Sequence, residues 1–170
     1  LQKILDLNWG INPHRPKVLV LAPTRELAIQ IGQEIEAYKS GLPIRHAVIF
    51  GGVSQIKQVE ALKRGVHIII ATPGRLLDLK MQGQLKLSEV KIFVLDEADR
   101  MLDMGFIRDI KKIVPALPTV RQSLMFSATM PPKIARLAEE LLVEPVRVEV
   151  SPQAKPIEQV AQYVLSLIHI

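Results

Sequence analysis

Two adjacent carboxylates, Asp96 and Glu97, and a third at Asp99 follow directly on the apolar run Ile92-Phe93-Val94-Leu95. The run reads as a buried strand that carries the acids out of the core at its carbonyl end. In open parallel α/β sheets that edge is where ligands bind. A hard cation such as Mg²⁺, arriving with a nucleotide, takes one or two carboxylates and completes its shell with phosphate oxygens. The neighbouring carboxylate is then free to orient or deprotonate a water. The competing reading is a strand end followed by an acidic helix N-terminus, where carboxylates complement the helix dipole and do no chemistry. Taken alone, the acids leave both readings open.

Four more apolar runs end in the same manner. Val18-Leu19-Val20-Leu21 leads into Ala22-Pro23-Thr24-Arg25-Glu26-Leu27-Ala28, and Ala47-Val48-Ile49-Phe50 leads into Gly51-Gly52. Ile68-Ile69-Ile70-Ala71 leads into Thr72-Pro73-Gly74-Arg75, and Ser123-Leu124-Met125-Phe126 leads into Ser127-Ala128-Thr129. If the strands are parallel, all the motifs share one edge of one sheet.

The elements that must position them follow from periodicity and punctuation. Residues 1–7 have helical spacing with no start signal and read as the tail of a helix, and 8–16 form a polar loop with two prolines. A strand over 17–21 precedes a helix over 26–38 with Leu27, Ala28, Ile31, Ile35 and Tyr38 on one face. A strand is expected over 44–50. Ser54 then caps a helix ending at Arg64, with Ile56, Val59 and Leu62 turned inward. Gly65 ends it before a strand over 66–71, and 74–81 is helical. After the acidic strand over 92–95, residues 100–114 are mostly helical, interrupted or bent near Gly105. A strand over 122–126 precedes a helix opened by Pro131 and Pro132, whose stripe is Ile134, Leu137, Ala138, Leu141 and Leu142. A last strand is read over 146–150. Alternating strands and helices predict an α/β fold with a doubly wound parallel sheet.

Length and composition set the frame. A chain of 170 residues with 48% hydrophobic residues is about one domain with a real core. No apolar run of membrane-spanning length and no signal-peptide pattern occur, and there is no cysteine, which suits a reducing cytoplasm. Net charge +5 and a pI near 9.6 are compatible with a polyanionic partner. Aromatic residues make up only 4%, which argues against a base-stacking platform and for backbone contact.

The five motifs, in this order from Ala22 to Thr129, resemble those of the DEAD-box family of ATP-dependent RNA helicases, specifically the first RecA-like domain, and most closely its bacterial members. The resemblance implies a RecA-like sheet with helices on both faces, and ATP and Mg²⁺ as cofactors. It implies that Asp96 holds Mg²⁺ through its water shell, that Glu97 positions the attacking water, and that Asp99 bonds to Ser127-Ala128-Thr129 to couple nucleotide and RNA. Thr24, Arg25, Gly51, Gly52, Thr72, Gly74 and Arg75 would contact RNA phosphates and riboses, and the helix after Arg75 would bend one strand. Such contacts make physical sense: small residues admit a backbone, hydroxyls and guanidinium groups meet phosphate oxygens, and a helix start offers free N–H groups. They position a strand without reading its bases. On residue chemistry alone, Arg25 and Arg75 could instead pair with Glu26 or Asp78, and Ser127 and Thr129 could cap the helix that follows them.

The phosphate-cradling pattern G-x-x-x-x-G-K-[ST] is absent, and no Gly-Lys dipeptide occurs in the chain. The family's order places that loop before Leu1 and its strand inside the sheet beside the strand ending at Ser127. The expectation is therefore an N-terminally truncated RecA-like domain over 1–150 that lacks the P-loop strand. Residues 151–170 would begin a linker to a second RecA-like domain, with Ser166-Leu167-Ile168-His169-Ile170 departing from the family pattern. The parent protein would be an ATP-dependent RNA helicase and the fragment itself inactive. The rival is a non-enzymatic RNA-backbone-binding module. A receiver-type α/β protein whose acids bind a regulatory metal fits the Thr-Pro-Gly-Arg and Ser-Ala-Thr motifs poorly.

Overall fold

The computed structural model describes residues 1–6 and 9–149. The strands are β1 (Val18–Leu21), β2 (His46–Ile49), β3 (Ile68–Ala71), β4 (Ile92–Leu95) and β5 (Gln122–Met125). They form a five-stranded, all-parallel sheet in the order β2-β3-β1-β4-β5. The helices are α1 (Gln2–Asp6), α2 (Arg25–Tyr38), α3 (Ile56–Arg64), α4 (Pro73–Met81), α5 (Ala98–Asp103), α6 (Ile107–Ile113) and α7 (Pro132–Leu141). A 3₁₀ turn over Val114–Ala116 follows α6.

Period-2 alternation along the strands divides the core into two layers. Val18, Val20, Ile68 and Ile70 pack with Ile4 of α1 and Ala28 of α2. Leu19, Leu21, Ile69, Phe93 and Leu95 pack on the other face with Leu62, Leu76, Met101, Ile110 and Leu137, from α3 to α7. Helices thus cover both faces, which is why β1 and β3 are continuous apolar runs. Gly32 admits α2 close to the sheet, since a Cβ there would stand 2.5 Å from Val48 Cγ2. At the edge where the strands begin, Glu89 gathers Asn12 Nδ2 at 2.7 Å and Arg15 Nη1 at 2.9 Å, and also pairs with Lys17. These bonds tie the approach to β1 to the approach to β4.

Several sequence expectations are corrected. Tyr38 is 71% exposed rather than inward. The fourteen residues of α2 extend about 21 Å at roughly 1.5 Å each and outrun four-residue strands of about 13 Å. Ile56 is 66% exposed, because the inward pair of α3 is Gln58 and Leu62, and Ile56 lies about 200° around the helix from Gln58. Ser54 is not the N-cap of α3. Gln55 holds that position, and Ser54 Oγ only accepts a long 3.4 Å bond from the Ile56 N–H. The helix expected from 100 starts earlier, at Ala98, and of the two forms expected near Gly105 the interruption is the one found, two helices parted where Gly105 takes φ +79°. Residues 146–149 form no strand, and Val146 and Val148 are 90% and 81% exposed. A β-branched pattern without a strand to pair with does not make a strand. The expected linker over 151–170 lies outside the described residues.

Candidate functional site

The strands end level. Ile49, Ala71, Leu21, Leu95 and Met125 are register partners in one row across the sheet. One step beyond that row, the N–H groups of Ala22, Thr72, Asp96 and Phe126 donate to Ala71, Ile49, Leu21 and Leu95 at 2.9, 2.9, 3.0 and 2.9 Å. The motifs therefore leave the sheet from one line at its carbonyl edge.

Asp96 stands first on the acidic side. Its Oδ1 accepts the Glu97 N–H at 3.0 Å. Burial pushes its carboxyl above the ordinary range, and the charge of Glu97 pushes the same way against that hydrogen bond. A carboxylate held this way is stabilised by a cation. Among the described residues, no three His, Cys, Asp or Glu side chains are gathered to hold a metal ion. A cation at Asp96 would draw most of its shell from water and phosphate, as Mg²⁺ bound with a nucleotide does.

Glu97 has left-handed backbone angles, φ 48° and ψ 55°, at the N-cap of α5. That conformation costs a β-carbon residue about 1 kcal/mol or more. The side chain makes no cap bond, and its carboxylate lies 3.2 Å from Arg100. The loop after β5 caps α5 instead. The Ala98 N–H donates to the Phe126 carbonyl at 3.0 Å and the Asp99 N–H donates to Ser127 Oγ at 3.1 Å. The expected alternative, that Ser127 and Thr129 cap the following helix, is not what they do: α7 has Pro131 at its N-cap and no side-chain cap bond.

Asp99 completes the link. Its Oδ2 accepts the N–H and the hydroxyl of Thr129, both at 2.8 Å, while the Ser127 hydroxyl donates to the Thr129 carbonyl at 2.8 Å. Burial alone would raise the Asp99 carboxyl, but the two bonds from Thr129 and one from the Arg100 N–H outweigh it and hold the group below its ordinary range. It stays ionised.

On the other flank, Thr24 caps α2, its Oγ1 accepting the Leu27 N–H at 3.2 Å. The Arg25 guanidinium lies 4.8 Å from the centroid of the Phe50 ring. Gly51 and Gly52 are exposed, Gly52 with φ +79°, and nothing lies within 4 Å of where their β-carbons would be. Thr72 is the N-cap of α4 without a side-chain bond, Pro73 begins the helix, and Gly74 also faces open space. Arg75 Nη2 donates to the Val53 carbonyl at 3.1 Å, and Nη1 is buried without a partner. Among the described residues, neither arginine pairs with Glu26 or Asp78.

Sequence reasoning missed Gln58. It is 8% exposed, and its Nε2 donates to the Phe50 carbonyl at 3.1 Å, fixing the root of the glycine loop. Gln55 and Gln82 bond to each other at 3.0 Å and join that loop's far end to the end of α4. The available signal was a polar residue four places before Leu62, on the buried line of α3.

A doubly wound parallel sheet with acids and hydroxyls on its carbonyl edge defines an α/β domain that binds its ligands along that edge. Residues 1–137 match the DEAD/DEAH box helicase family, and the chain belongs to that family. It is 50% identical over 135 residues to the ATP-dependent RNA helicase DBP2 of Scheffersomyces stipitis, covering 79% of this chain and 26% of that protein. It is 44% identical over 151 residues to the DEAD-box ATP-dependent RNA helicase CshA of Geobacillus kaustophilus, covering 89% of this chain and 32% of the relative. Fungal and bacterial relatives thus match at similar identity, and bacterial members are not singled out. A crystal structure of a DEAD box protein from the hyperthermophile Methanococcus jannaschii superposes with a TM-score of 0.74 at 43% identity, over 84% of this chain and 39% of that one. The chain spans about a third of the length of these relatives. No helix among the described residues is long and apolar enough to cross a membrane.

Proposed function

We propose that the chain is the acid-bearing part of an ATP-dependent RNA helicase. In this reading it acts with ATP, Mg²⁺ and a second RecA-like domain of the same protein, in the cytoplasm, to open short RNA duplexes or remodel RNA–protein assemblies. The observation that supports it best is the level edge: Asp96 and Glu97 leave the sheet on the same row as Thr24-Arg25, Gly51-Gly52 and Thr72-Pro73-Gly74-Arg75. Nucleotide chemistry and strand binding would then share one rigid scaffold.

Bound with ATP, Mg²⁺ would neutralise phosphate charge and orient the terminal phosphate. Asp96 would hold the ion through its water shell, a role that its half-buried, acid-flanked carboxylate fits. Glu97, which spends its carboxylate on no cap bond to its own helix, would orient a water and accept its proton. Asp99 would pass a change at the acids to Ser127 and Thr129 through the bonds that join them. Thr24, Arg25, Gly51, Gly52, Thr72, Gly74 and Arg75 would hold an RNA backbone along the edge.

The test is RNA-stimulated ATP hydrolysis by the full-length protein that contains this chain, beside its Glu97→Gln variant. Turnover that needs RNA and collapses in the variant is expected. RNA binding with no turnover in the unmodified protein would leave only a backbone-binding module.

A further inference from the structure

We propose that the groove between α6 and α7 docks an acidic segment of a partner protein, anchored by one apolar side chain. The groove is a recess of about 270 Å³. Its floor is aliphatic, formed by Leu102 at the end of α5, Ile107 of α6 and Leu137 of α7. Its rim is cationic: Lys111 on one side, Lys133 and Arg136 on the other, with Glu140 the single acid. That acid is already taken, because Lys111 Nζ bonds Glu140 at 2.9 Å across the groove. Among the described residues, Lys133 and Arg136 pair with no carboxylate. Both sit in the first half of α7, where the helix dipole is itself positive and the first turn holds no acid. Glu139 and Glu140 balance these charges over the whole helix, but both lie in its second half and Glu140 is held by Lys111, so a carboxylate arriving at the first half meets two cations and a favourable dipole.

The choice of occupant follows from floor and charge together. A nucleic acid held through its backbone would satisfy the cations, but a sugar–phosphate chain has no apolar side group to fill the aliphatic floor of Leu102, Ile107 and Leu137. Residues 150–170 hold one acid, Glu158, against one cation, Lys155, and lack the charge to be the ligand. An acidic peptide with a leucine-sized anchor matches both parts. Its binding would also bridge α5–α6 to α7, the elements whose leading loops are joined through Asp99 and Thr129.

The test uses the full-length protein containing this chain and a short fluorescent peptide of Asp and Glu around a single leucine, followed by anisotropy. Controls are the same peptide with Asn and Gln for its acids, the same peptide with serine for its leucine, and single-stranded RNA as competitor. Saturable binding is expected, weakened at least about tenfold by Lys133→Glu with Arg136→Glu and by neutralising the peptide. Loss of the leucine should weaken it further, and RNA should not displace it. The exposed double Lys133→Gln, Arg136→Gln variant, checked by thermal melting, should give an intermediate loss. Peptide binding indifferent to both double variants would overturn the proposal. So would displacement by RNA, which would make the groove a nucleic-acid surface.

Discussion

Arg75 reaches back 22 residues to donate from Nη2 to the Val53 carbonyl at 3.1 Å, leaving Nη1 buried and without a partner. One edge of the guanidinium thus belongs to the glycine loop, and the same side chain that would meet RNA also sets the shape of its neighbour.

In the full-length protein, Arg75→Ala and Arg25→Ala should each weaken all RNA sequences alike. For this half of the motor, two or three phosphate contacts at about 0.7 each predict a salt slope of only about −1.4 to −2, flatter in either variant. A salt titration on several unrelated single strands, with a non-hydrolysable ATP analogue present, measures this. A tenfold change in preference among sequences would show the arginine reading bases.

Gln58→Leu should destabilise the protein by about 1–3 kcal/mol in urea unfolding, because the Phe50 carbonyl loses its donor at a buried site. The glycine loop should loosen with it, so RNA affinity should fall as well. Unchanged stability and unchanged affinity together would remove Gln58 from the positioning role.

Glu97→Gln in the full-length protein should keep ATP and RNA binding while hydrolysis falls about 10²–10⁴-fold, since the base is lost and the contacts remain. The 170-residue chain on its own, without a Gly-Lys phosphate loop in its sequence, should show no RNA-stimulated turnover. Activity of the bare chain above its own Glu97→Gln control would contradict this.

The Glu89 clamp gives a pH signature. Hydrogen bonds from Lys17, then Arg15 and Asn12, lower the Glu89 carboxyl from about 4.5 to about 2. Because the folded-state value is depressed, the stabilisation is fully present above the unfolded-state value. It is lost as pH falls from about 4.5 through about 2. Acid titration of unfolding should show this loss in the native protein and not in Glu89→Gln. Identical acid profiles would mean that the clamp contributes nothing.

The sheet and the motif edge were legible because each strand is a short apolar run closed by a chemically distinct motif, and parallel strands send all such motifs to one side. The Asp99 link to Ser127 and Thr129 came only with the family resemblance, since residues 28–30 apart carry no local signal of contact. Gln58 was hidden because a glutamine between Lys57 and Val59 reads as surface until the helix is oriented. Residues 146–149 failed for the opposite reason: their β-branched pattern is local, while strand formation depends on a neighbour.

The borrowed cap on α5 has a consequence in time. A six-residue helix is too short to persist by itself, and the Ala98 and Asp99 amides are bonded only to the loop that follows β5. Whenever that loop lifts away, both amides are open to water and can exchange their protons for deuterons. Their exchange rates thus clock how often the loop lets go, residue by residue and with no ligand in the tube.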